Sequence, residues 1–115
     1  MKPATTYFAM LTICFLLVAC SRESKTVSGS VVRGQQSGHI VTAKAGQTLE
    51  VSVTSDEDNA VFQIFLPGEK GTLPGAGETD DAKKFSGKIP TDGDYLIVVA
   101  PTRGNTTYRL SYSVK

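Results

Sequence analysis

A single histidine and two cysteines bound the chemistry open to this 115-residue sequence. A hydrolase needs a nucleophile with a positioned base, and the nearest approach is His39 beside Ser37 and Gly38, with 11 carboxylates elsewhere to orient an imidazole. At the start of a β-type run, His39 reads better as a partly exposed strand residue than as a general base. Zinc needs several His, Cys or carboxylate ligands together, which one histidine does not supply. Calcium needs a shell of oxygens, and Asp56-Glu57-Asp58-Asn59 and Glu78-Thr79-Asp80-Asp81 each gather oxygens on a loop. Neither follows the spaced Asp-x-Asp-x-Asp-Gly order of a helix-loop-helix calcium loop. Acidic side chains at turns also cap backbone amides, and that structural role is the better reading, so no metal or other cofactor is expected. Tyr95, Tyr108 and Tyr112 could stack on a sugar, but their phase with Ile97, Leu110 and Val114 favours the core. The remaining reactive atom is the sulfur of Cys20.

Cys20 ends the run Leu17-Val18-Ala19-Cys20, which closes an apolar stretch behind one positive charge, Lys2. The apolar core is about a dozen residues, short of the roughly 20 that a spanning helix needs. The quartet resembles the lipobox of bacterial lipoprotein signal peptides. That resemblance implies diacylation of the Cys20 sulfur, cleavage before it and acylation of the new amine. Several acyl chains, at about 0.8 kcal/mol per buried methylene, would then hold the protein on a membrane. Ser21 after the cysteine resembles the sorting pattern of Gram-negative outer-membrane lipoproteins, so a lipid-anchored envelope protein facing the periplasm is expected. The expected divisions are a signal peptide over 1–19, the lipidated cysteine and a Ser/Arg/Glu/Lys/Thr tether over 20–28, and a domain over 29–115.

Removing the leader leaves about 96 residues, enough for one small domain. Lys2 goes with it, so the remaining basic side chains balance the 11 acidic ones. No net charge then favours nucleic acid or anionic lipid. Cys14 is lost and Cys20 acylated, so the folded part has no disulfide and depends on its core alone.

The hydrophobic pattern is all-β. Short runs rich in Val, Ile, Thr, Tyr and Phe, separated by Gly, Pro, Asp and Asn, predict strands over 30–33, 40–43, 48–54, 60–66, 85–89, 95–100 and 107–114. Leu49, Val51 and Val53 alternate with Glu50, Ser52 and Thr54, and Tyr108, Leu110, Tyr112 and Val114 alternate with Arg109, Ser111 and Ser113, which gives each strand one dry face. The runs around Val61–Leu66 and Tyr95–Val99 are apolar on both sides, and central strands covered on both faces are expected there. A small antiparallel two-sheet β-sandwich, jelly-roll-like, accounts for the pattern. Lys44-Ala45-Gly46-Gln47 and Thr91-Asp92-Gly93-Asp94 read as tight turns. The stretch 67–84 is the one long irregular connection, of the kind that is functional or mobile.

Thr42-Ala43-Lys44-Ala45-Gly46-Gln47-Thr48-Leu49-Glu50-Val51 resembles the strand-turn-strand signature of the pre-peptidase C-terminal-like β-sandwich family. Phe85-Ser86-Gly87-Lys88-Ile89-Pro90, then Asp92-Gly93-Asp94-Tyr95-Leu96-Ile97-Val98-Val99, then Tyr108-Arg109-Leu110, resemble its closing portion. Small exported members include the periplasmic inhibitors of g-type lysozyme, whose last hairpin carries an arginine-rich loop before a Tyr-x-Leu strand. The resemblance implies an envelope-anchored binding module, an inhibitor of g-type lysozyme and no enzyme, with Arg103 in the loop after Thr102. The loop here runs only over 101–107 with no second arginine, and Gln35 follows Gly34 where the family often has tyrosine. Gln35 and His39 complete the candidate partner-binding set. The alternatives are an accessory envelope lipoprotein that contacts another protein, and a module that binds carbohydrate or peptidoglycan.

Overall fold

The computed structural model describes residues 23–115. The expected signal peptide and the candidate lipid acceptor Cys20 lie outside the described residues. Seven strands follow in order, β1 (Glu23–Val31), β2 (Ser37–Ala43), β3 (Thr48–Ser55), β4 (Ala60–Phe65), β5 (Lys84–Lys88), β6 (Gly93–Pro101) and β7 (Thr106–Val114). All pairings are antiparallel, in one sheet of order β1-β7-β3-β5 and another of order β2-β6-β4.

Alternation decides which residues meet between the sheets. Leu49, Val51 and Val53 of β3 and Leu110 of β7 are buried on one side, and Phe62, Ile64, Ile97 and Val99 on the other. Tyr95 is wholly buried as well, with its hydroxyl donating to the Thr91 carbonyl at 2.7 Å, four residues upstream. That bond satisfies the one polar atom the ring carries into the core.

Three expectations change. The tether expected over 20–28 is, from Glu23 onward, already strand, because β1 is an edge that needs only one dry face. Val27 and Val31 supply that face, while Ser24, Thr26, Ser28 and Ser30 stay in water. Gly29 lies opposite Tyr108, and a Cβ built there would come within 2.7 Å of the tyrosine hydroxyl, so the missing side chain makes room for the ring. Next, β4 and β6 are covered on one face only. The outer face of their sheet leaves Leu96 and, from β2, Ile40 exposed, because a two-layer fold has nothing to place over it.

The third change concerns 67–84, which is packed and hydrogen-bonded along the domain and not a free loop. Leu73, Ala76 and Ala82 are buried in the core. The segment also takes up the free edge of β4: Phe62 N–H donates to Ala82 O, Ile64 N–H to Ala76 O and Leu66 N–H to Gly71 O, at 2.8–3.0 Å. It occupies the place of an eighth strand, and with it the sheet orders are those of a jelly roll.

Phe62 sits where this segment, β4 and the inter-sheet layer meet. Phe62→Ala is expected to cost about 3–5 kcal/mol, read as a lowered midpoint in urea denaturation monitored by circular dichroism.

Candidate functional site

The antiparallel order sends three turns to one end of the sandwich: 32–36 after β1, 56–59 after β3 and 102–105 after β6. Asn59 binds two of them together. It is 3% exposed, and its Nδ2 donates to the carbonyls of Arg103 and Asn105, both at 3.0 Å. Its own carbonyl accepts from Thr102 N–H at 2.8 Å, and its N–H donates to Ser55 Oγ at 2.9 Å. The third turn joins through Arg33 N–H, which donates to Asn105 Oδ1 at 3.0 Å.

Around this knot Arg33, Gly34, Pro101, Thr102, Arg103 and Gly104 line a shallow cleft. Arg103 is exposed, and its Nη2 donates to the Glu57 carbonyl at 3.0 Å, so the guanidinium leans on the 56–59 turn with its other N–H groups free to face solvent. Among the described residues neither Arg33 nor Arg103 makes an ion pair. Asp56 and Glu57 line the adjoining hollow with Val32, which gives this end carboxylates beside its guanidiniums.

The four candidate residues separate. Arg103 stands at the tip, and Gln35 is exposed one residue past the cleft in the neighbouring turn. Cys20 lies outside the described residues. His39 points inward between the sheets, where its Nε2 is 2.8 Å from the Tyr108 hydroxyl and the rings meet edge to face. Tyr108 donates its own proton to Ser37 Oγ at 2.9 Å, so His39 Nε2 carries the hydrogen that reaches the tyrosine oxygen. The tyrosine thus separates the Ser37 and His39 side chains that could have formed a nucleophile and its base.

Two residues at this end escaped the sequence reading. Arg33 is a second arginine, supplied by a different turn from Arg103. The available signal was a repeated dipeptide, since Arg33-Gly34 and Arg103-Gly104 each place arginine before a glycine with positive φ, 83° and 56°. In sequence Asn59 stands beside acidic oxygens, yet its side chain donates to backbone carbonyls. Of the acidic residues themselves, Asp58 pairs with Lys83 at 2.9 Å and Asp80 caps Gly77 N–H at 2.7 Å. Among the described residues no group of three or more His, Cys, Asp and Glu is placed to hold a metal ion. Tyr95 and Tyr108 are buried, which withdraws the aromatic sugar platform.

Fold and site together define a small jelly-roll sandwich with a loop-built arginine end. Solved structures similar to this fold include periplasmic inhibitors of g-type lysozyme. The chain is similar to the Aeromonas hydrophila PliG, a periplasmic lysozyme inhibitor of g-type lysozyme, with a TM-score of 0.68 and 28% identity over 83% of this chain and 89% of that one. The Salmonella Typhimurium PliG gives 0.63 and 19% over 80% and 91%, and a mutant of the Escherichia coli PliG gives 0.62 and 21% over 84% and 91%. No protein-family model matches the chain, and no relative is found among curated protein sequences.

Burial holds the His39 imidazole below its ordinary pKa of 6.5. The unfolded chain therefore takes up this proton first as pH falls. Its contribution to stability is complete above about pH 6.5 and is lost as pH drops through the lower folded value. Urea midpoints of the wild type should fall across that window, and those of His39→Gln should change less.

Proposed function

We propose that this chain is a non-catalytic, lipid-anchored envelope protein that inhibits g-type lysozyme through the end bearing Arg33 and Arg103. The likeness to the Aeromonas inhibitor carries the reading, and the chemistry of the arginine end supports it. Glycosidases keep paired carboxylates in their clefts, and a guanidinium meets a carboxylate through two parallel charge-assisted hydrogen bonds. A short loop with one arginine offers a single fork. Bringing Arg33 beside it from the first turn offers two, without a longer hairpin. The Asn59 knot fixes the backbone under both, so little ordering is left to be done on binding.

The anchor belongs to the same reading. The leader ending in Leu17-Val18-Ala19-Cys20 would export the chain and leave Cys20 as its acylated first residue, in the compartment where a periplasmic inhibitor acts. Cys20→Ser should abolish incorporation of radioactive palmitate and move the protein out of the membrane fraction. Unchanged labelling would remove the anchor.

Inhibition is tested by titrating the soluble fragment that begins at Ser21 against g-type and c-type lysozymes. Truncating a buried charged anchor at an interface costs about 2–5 kcal/mol. Arg103→Ala and Arg33→Ala are each expected to weaken g-type inhibition by roughly 30-fold or more, with the thermal transition nearly unmoved. Equal curves for wild type and both variants would discard the arginine end as the contact. Absence of inhibition by the wild type would leave an accessory or glycan-binding envelope protein.

A further inference from the structure

Four strands stand at the margins of the two sheets, β1 and β5 in one and β2 and β4 in the other. Three of these margins are guarded. Segment 67–84 lies along β4. β5 is short and carries exposed Lys84 and Lys88 at its two ends. In β1, Lys25 takes the inward phase of Val27 and Val31, a charge that keeps a further strand from pairing there. β2 has no such device, since Ser37-Gly38-His39-Ile40-Val41-Thr42-Ala43 contains no Lys, Arg, Asp, Glu or Pro. Its free main-chain groups follow from the ladder. Phe62 and Ile64 turn their N–H groups to segment 67–84, so Gln63 bonds Val98, and Ile97 and Val99 are left to bond His39 and Ser37. Gly38, Ile40 and Thr42 therefore present N–H and C=O away from β6, and among the described residues no other segment bonds them. A hollow of about 530 Å³, which Ile40, Val41 and Thr42 line with Ser24 and Lys25, keeps β1 from closing over this edge.

We infer that β2 is the interface of a two-fold dimer, paired antiparallel with β2 of a second copy so that the two three-stranded sheets become one. The register that pairs Ser37–Ala43 over its whole length has its axis at Ile40. There Ile40 faces its own counterpart and Gly38 faces Thr42, each pair exchanging both main-chain hydrogen bonds through the groups left free. The side chains agree with that register. Ile40 is 66% exposed and ends a cross-strand row of Phe65, Leu96 and Ile40 on the outer face. The axis continues this row through Ile40, Leu96 and Phe65 of the second copy. No like charges are opposed, because Asp94 and the Thr42 hydroxyl it accepts from at 2.6 Å meet only Gly38 across the new seam. A foreign strand would bond the same groups without completing the row, and that favours a second copy as the occupant. One strand pair is small beside the roughly 1,200–2,000 Å² of a standard interface, so the dimer is reversible and depends on concentration. The pairing uses neither turn 32–36 nor turn 102–105, and it leaves the two arginine ends free and pointing in opposite directions. The Glu23 ends point apart as well, and both reach one bilayer when the strands run along it.

The fragment that begins at Ser21 keeps every strand and contains neither cysteine of the sequence. Wild type and Ile40→Lys are compared by sedimentation velocity over a dilution series. Ile40→Cys and Thr42→Cys are oxidised with copper phenanthroline and resolved on non-reducing gels. Positions 40 and 42 are both exposed, so the fold tolerates the changes. At the axis the two Cα atoms of position 40 are about 5.5 Å apart, within the roughly 4.4–6.8 Å that a disulfide spans. Those of position 42 are out of register with each other and lie roughly 14 Å apart. The expected result is a wild type that passes from dimer to monomer on dilution and an Ile40→Lys variant that is monomeric at every concentration. With it, Ile40→Cys is converted to a disulfide-linked dimer and Thr42→Cys is not. A wild type that is monomeric throughout, or an Ile40→Lys variant that dimerises as the wild type does, would overturn the inference. So would a failure of Ile40→Cys to link, or linking of Thr42→Cys as readily as Ile40→Cys, which would put the contact in another register or on another face.

Discussion

Leu49, Val51, Val53 and Leu110 from one sheet meet Phe62, Ile64, Ile97 and Val99 from the other in one apolar layer, and no covalent cross-link among the described residues backs that layer up. Every strand register answers to it. A slip of one residue in β3 would turn Glu50, Ser52 and Thr54 inward and put three aliphatic side chains into water. Tyr95 and Tyr108 extend the layer toward its two ends, each with a partner for its hydroxyl. At the lower end that partner is a backbone carbonyl, and at the upper end a serine and a histidine. The sandwich is therefore dry in the middle and hydrogen-bonded where water begins, and the turns at the arginine end rest on that boundary.

The arginine end shows how much of a site can depend on one uncharged residue. Neither guanidinium touches Asn59, yet the carbonyls on both sides of Gly104 are fixed by its amide, and the turn carrying Arg33 is held in turn by Asn105. This buried amide has both Nδ2 hydrogens and its main-chain N–H and C=O occupied. Such a network loses its value if one member is left unpaired. Positional precision at the tip thus comes from inside the domain, while the charges that a partner would meet stay on the surface.

Six of the seven strands were legible because alternation is a strong signal wherever one face is dry and the other wet. β1 was caught only at its last two residues, by the strand expected over 30–33, since its exposed face is all Ser and Thr and its inward face contains a glycine that admits Tyr108. The segment 67–84 was visible as irregular but not as structural. Leu73, Ala76 and Ala82 are scattered among glycines, prolines and acids at no fixed period, and only the vacant edge of β4 gives them a common purpose. Arg103 could be carried over from a family resemblance. Arg33 could not, because 70 or so residues of chain separate the two arginines and topology alone brings them to one end.

The segment along β4 has a further effect on the life of the protein in a crowded compartment. A strand with free N–H and C=O groups on its outer side is a template onto which another chain can add. Here the outward N–H groups of Phe62 and Ile64 are already spent on the Ala82 and Ala76 carbonyls and the Ile64 carbonyl on Leu73 N–H, and the segment that spends them is too irregular to offer a new row in exchange. Growth of this sheet by edge pairing is thereby stopped in that direction, at the cost of a chain stretch that looks, residue by residue, as if it had no role.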